Sequence, residues 1–73
     1  MSRPHWQDAP TWAQWLAQDE DGEWNWFEFE PVAVQQRAPE PNFWCSEGGG
    51  NYEWARTTPI YEEWNLTLES RPC

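Results

Sequence analysis

Asp19, Asp21, Gly22 and Glu28 fall at the third, fifth, sixth and twelfth places of a calcium-binding loop, the oxygen-rich arrangement a hard cation needs. The first place would be Ala17, which offers no ligand atom, and the Trp-Asn-Trp-Phe run at 24–27 favours a strand over an irregular loop. A solvated hairpin turn is the simpler reading. His5, Cys45 and Cys73 are the softer ligands, yet no two lie at the short spacing of structural zinc sites. Nucleophilic chemistry is no better served, because Cys45 has no basic neighbour in sequence to activate its thiol. Glu28 and Glu30 share one side of a strand, where a solvated face explains them more simply than an acid–base pair. The glycines at 48–50 offer backbone amides to a phosphate, but neither a Lys nor a helix start follows them. The chain is therefore expected to be no enzyme and to use no metal or cofactor.

What remains is charge and rings. Thirteen acids face four Arg and no Lys, a formal charge of −9 with a sequence pI near 4.2. Nucleic-acid affinity depends on a basic stripe along the phosphates, and Arg3, Arg37, Arg56 and Arg71 are scattered. Direct binding of nucleic acid, or of an anionic membrane, is disfavoured. A basic protein surface is the complementary partner. Val, Ile, Leu and Phe number only nine of 73 residues, a level typical of disordered chains, while eight Trp and two Tyr argue against disorder. A few Trp, each burying roughly 150–250 Å², can replace many aliphatics in a small core. The first sixteen residues lack the apolar core of a signal peptide and no run suits a membrane span, so a cytosolic setting with free thiols is expected.

The elements that must position these residues are short. Residues 1–10, with Pro4 and Pro10, read as a flexible arm that Trp6 could pin, and residues 11–73 as one aromatic-core domain. Asp19-Glu20-Asp21-Gly22 is a turn signal between strands at 15–18 and 23–30. Trp24 and Trp26 share one face of the second strand, and Phe27 and Phe29 the other. A β-bulge near Trp26-Phe27 would gather all four rings on one side, the preferred reading; without it, both faces are covered. Residues 32–40 are a Pro-bracketed connection with a short edge piece at 32–34. Segments 42–46 and 51–57 flank a second turn at 47–50, an internal duplication of the first hairpin or simply another of similar size. Thr58-Pro59 then resembles a helix start, with Tyr61, Trp64 and Leu68 at helical spacing. The rival is a strand, since Trp64, Leu66 and Leu68 also alternate. The expected fold is a small α+β domain: a four-stranded antiparallel sheet from two β-hairpins, with a short C-terminal helix on one face.

The run from Trp12 through Gln14-Trp15-Leu16-Ala17-Gln18-Asp19-Glu20-Asp21-Gly22 to Trp24-Asn25-Trp26-Phe27-Glu28 resembles a motif of small tailed-bacteriophage proteins. Trp44, the glycines at 48–50 and Trp64 are similar too. The resemblance implies a phage setting, hence the host cytoplasm. Small acidic phage proteins are often inhibitors of host enzymes or defence systems, including anti-CRISPR-like ones.

The function expected is therefore binding and inhibition of a host protein, one with a basic nucleic-acid-binding surface, by surface or nucleic-acid mimicry. Glu20, Asp21, Glu23, Glu28, Glu30, Glu53, Glu62 and Glu63 are the candidate charges, with Trp24 and Trp54 as anchors. Two alternatives belong to other classes: a sponge that holds a nucleotide signal between Trp rings, and a structural or virion accessory protein that self-associates into a homo-oligomer.

Overall fold

The structure, a computed structural model, describes residues 3–46 and 48–72. The expectations that involve Cys73 and Glu47 lie outside the described residues. Six strands form among the described residues: β1 (Trp15–Gln18), β2 (Glu23–Phe27), β3 (Val32–Val34), β4 (Phe43–Cys45), β5 (Tyr52–Thr57) and β6 (Glu69–Ser70). They make a four-stranded antiparallel sheet in the order β5-β2-β1-β6 and a separate two-stranded sheet, β3-β4. Among the described residues, helical backbone is confined to two 3-10 turns, Trp6–Asp8 and Trp64–Leu66.

The β1–β2 hairpin organises the rest. Gly22 takes φ +96° in its turn, Asp21 Oδ1 accepts from Glu23 N at 3.1 Å, and Asp19 N donates to Glu23 O at 2.9 Å. A positive φ is what glycine supplies without a Cβ clash. Registry then places Leu16 opposite Trp26 and Gln18 opposite Trp24 on one face, with Trp15 opposite Phe27 and Ala17 opposite Asn25 on the other. Both faces carry rings because both are covered. The first cluster is Ala13, Leu16, Trp24 and Trp26 beneath Trp6, Ala9 and Trp12. The second is Ala17, Phe27, Trp44 and Trp64, with Trp15 and Leu68 at its margin. Burying a side chain the size of Leu16 or Phe27 contributes about 1.5–3 kcal/mol.

Four expectations are corrected. First, no bulge gathers the β2 rings onto one side. The irregularity falls instead in the pairing with β5, where Trp24 faces Arg56 and Asn25 faces Trp54, leaving Ala55 as the extra residue. A two-sided core removes the need to turn Phe27 over, and Phe29 sits beyond β2, 46% exposed against Gly48 and Gly50. Second, β4 and β5 do not form a hairpin. β5 is drawn to the open edge of β2, while β4 pairs with β3 so that Trp44 can enter the second core layer.

Third, the C-terminal helix is reduced to one 3-10 turn followed by β6, so the domain is mostly β rather than α+β. The Thr67 hydroxyl accepts from Gln18 N at 2.8 Å and lies 2.7 Å from Trp64 O, which holds this segment alongside β1. A helix would carry Thr67 away from that edge and leave Gln18 N buried without a partner, a cost of about 1–3 kcal/mol. Fourth, residues 3–10, expected as a flexible arm, are the cover of the first core face. Pro4 is buried, the Trp6 ring lies 5.0 Å from that of Trp26, and Arg3 sits 5.0 Å above the Trp24 ring. Arg3 also pairs with Glu69 at 2.7 Å and Glu62 at 2.9 Å, tying the segment to the far end of the chain.

Candidate functional site

Between the two sheets lies a cleft of about 370 Å³, within the range of ligand-sized sites. Phe27 of β2 and Tyr52 of β5 form one wall, with ring centroids 6.4 Å apart and planes 25° from parallel. Phe43 and Trp44 of β4 form the other wall, and Asp19 and Glu23 stand at the end made by the first hairpin. Asn25, Cys45 and Ser46 complete the lining, and Cys45 is a free thiol.

The walls are fixed by polar stitching between β4 and the first hairpin. Asp19 Oδ1 accepts from Trp44 N at 2.8 Å, Glu20 N donates to Asn42 O at 3.1 Å, and Asn42 N donates to Glu20 Oε1 at 2.9 Å. The hairpin turn thus acts as a second neighbour for β4 opposite β3. Trp44 Nε1 donates to Gln18 O and Trp64 O at 3.1 and 3.2 Å, and its ring meets Trp64 edge-on at 5.7 Å. Behind it Gln18, 1% exposed, directs Nε2 to Gly22 O, Thr58 Oγ1 and Pro59 O, while Trp24 Nε1 donates to Thr58 Oγ1 at 2.7 Å. Buried polar groups satisfied in this way hold the hairpin, the 57–59 segment and the C-terminal turn in one arrangement.

Asp19, Asp21 and Glu23 present carboxylate oxygens within 4.8 Å of one another. None of the three has an ion-pair partner among the described residues; both ion pairs there belong to Arg3. Burial lifts Asp19 from the usual 3.8 to about 6, against the pull of the Trp44 amide and with help from the Asp21 and Glu23 charges. From about pH 4 to 6 the folded chain therefore holds a proton that the unfolded chain has released. Stability falls as pH rises through that window and is level above it. Asp19→Asn keeps an acceptor for Trp44 N and removes the charge. Its urea midpoint at pH 7 is expected above the parent's, with the difference vanishing below pH 4. Equal midpoints at both pH values would show that Asp19 ionises without strain.

The predicted partner-binding residues scatter over the surface, and some are already engaged. Glu20 is bound to Asn42, Asp21 to the turn backbone, and Glu28 Oε1 accepts from Asn51 N and Nδ2, both at 3.0 Å. Glu62 is paired with Arg3. Glu28 does not join Asp19 and Asp21 as a calcium loop would require, and Ala17 is fully buried. Glu23, Glu30, Glu53 and Glu63 are exposed, and Trp54 is 57% exposed. Trp24 is corrected: at 3% exposure, beneath Arg3 and bonded to Thr58, it is core and cannot anchor a partner. The sequence reading missed the cleft. Asp19 was legible as a turn residue and Tyr52 as a ring, but nothing local brings Phe43 and Trp44 opposite them.

Fold and site together define a small, mostly-β, acidic domain with an aromatic cleft between its two sheets. No protein-family model, curated protein or solved structure matches the chain. Among the described residues no helix is long and apolar enough to cross a membrane.

Proposed function

We propose that this protein is a non-enzymatic binding domain that engages and inhibits a host protein through that protein's basic, nucleic-acid-binding surface. The observation that supports it best is the edge strand β5, where Tyr52 and Trp54, 66% and 57% exposed, alternate with Glu53. Exposed Tyr and Trp within an acidic rim have the composition of a binding hot spot for a cationic partner. Two of the four Arg are engaged away from this strand, Arg3 with Glu62 and Glu69, and Arg71 with the carbonyls of Pro10 and Ala13 and the Trp6 ring, while Arg56 lies on β5 itself. The resemblance of the first hairpin to tailed-phage proteins makes a defence component of the host the target of choice, met in the host cytoplasm.

Binding to a panel of host DNA- and RNA-binding proteins tests this at low and high salt. Affinity is expected to fall roughly tenfold or more across that range, as for a contact dominated by complementary charge. Trp54→Ala is expected to weaken the same complex by about tenfold or more. An affinity that ignores both salt and Trp54 would end the proposal.

A further inference from the structure

The cleft combines two properties that select one class of occupant. Phe27, Tyr52, Phe43 and Trp44 line its walls, with Tyr52 the exposed ring among them, and its end carries Asp19 and Glu23. An anion would be repelled by those carboxylates, and a neutral apolar group would leave their charge uncompensated in a partly desolvated place. A cation satisfies both, since ring faces attract positive charge and carboxylates accept its N–H groups. Between the two protein cations, the guanidinium is flat, weakly hydrated and forked, so it stacks on rings and bonds carboxylates together. Tyr52 lies at the mouth, 66% exposed, on the same edge strand as Trp54. A side chain entering past it would come from a partner seated on β5.

We propose that the cleft between the sheets is a receptor for an arginine side chain of the partner, held between the aromatic walls and the Asp19–Glu23 end. This deepens the basic-partner reading and rests on it, because it names the group through which that partner is gripped. The Asp19 carboxylate serves both roles at once, with Oδ1 fixing Trp44 in the wall and the charge drawing the guanidinium in.

The test is an amide-resolved NMR titration of the full chain with a capped tripeptide centred on arginine, beside its lysine and citrulline counterparts. The arginine peptide is expected to move the Asn25, Trp44 and Tyr52 signals together and to saturate. Citrulline has the same shape without the charge and is expected to bind about tenfold or more weaker, the usual loss for a hydrogen bond to a charged group. Asp19→Asn and the surface change Tyr52→Ala are each expected to weaken the arginine peptide about tenfold. Glu40→Gln, in the exposed 35–41 loop, leaves it unchanged. Equal affinity for citrulline, preference for lysine, or shifts confined to other surfaces would overturn the assignment. If the cleft signals stay still while a basic protein still binds in a salt-dependent way, the cleft assignment fails and the broader reading survives. If the peptide seats in the cleft but no basic protein binds, the receptor stands and the proposed inhibition falls.

Discussion

Trp44→Ala is expected to remove about half or more of the domain's folding stability. The Trp44 ring is 9% exposed, closes one wall of the cleft, and meets Trp64 in the second core layer. Truncating a buried Trp costs about 3–5 kcal/mol. A chain of this length is held by roughly 4–10 kcal/mol in all. The loss is aggravated because Gln18 O and Trp64 O both accept from the indole N–H, so the deletion leaves two buried carbonyls with one fewer donor. Urea unfolding followed by far-UV circular dichroism reads the effect directly. Trp44→Phe, which keeps a ring and loses only the donor, is expected to retain a transition at a lower midpoint. A Trp44→Ala chain within about 1 kcal/mol of the parent would mean that the second core layer contributes little, contrary to the range for buried Trp.

Gly22→Ala is the second large effect, and its origin is the backbone. At φ +96° an added Cβ would lie 2.6 Å from the carbonyl oxygen of Thr58, which is main chain and cannot swing aside. Gly22 O also accepts from Thr58 N at 3.1 Å and Gln18 Nε2 at 3.1 Å, so moving the turn disturbs the whole Gln18–Thr58 network. Strain and lost bonds together are expected to cost about 2–4 kcal/mol. Gly49→Ala is the control. Its φ is +77° but no atom lies within 4 Å of the added carbon, so only the left-handed penalty of about 1–2 kcal/mol applies. Similar losses at both sites would show that the close approach to Thr58 has no energetic consequence.

The two substitutions divide the molecule as sequence reasoning does. Gly22 was legible, since an Asp-Glu-Asp-Gly turn between aromatic segments demands a positive φ at glycine. Strand β1 was placed at its observed bounds and the edge piece at 32–34 coincides with β3. The positions of β4 and β5 were close as well. Their partners were not. The sequence reading joined β4 to β5 because a glycine-rich turn separates them, the strongest local hairpin signal available. That preference is outweighed by burial: β5 pairs with the open edge of β2, and β4 carries Trp44 to the second core layer beside Trp64. The C-terminal segment was misread for a similar reason. Tyr61, Trp64 and Leu68 match helical spacing, yet Tyr61 is 64% exposed and the segment is held at Thr67 by bonds to Gln18, 49 positions earlier in the chain.

By itself the sequence determined the first turn, the places of β1, β3, β4 and β5, the acidic charge and the substitution of rings for an aliphatic core. Each depends on residue type and near spacing. Tertiary structure alone decided which strands pair, which Trp is interior, and that Asp19 and Glu23 face Phe43, Trp44 and Tyr52 across a cleft. Trp24 and Trp54 illustrate the division. Both are Trp on strands beside Glu, and one is 3% exposed while the other is 57% exposed. The N-terminal segment and Arg3 cover the first, and the sheet ends at the second. Burial is a sum over distant contacts, so no neighbourhood of sequence contains it.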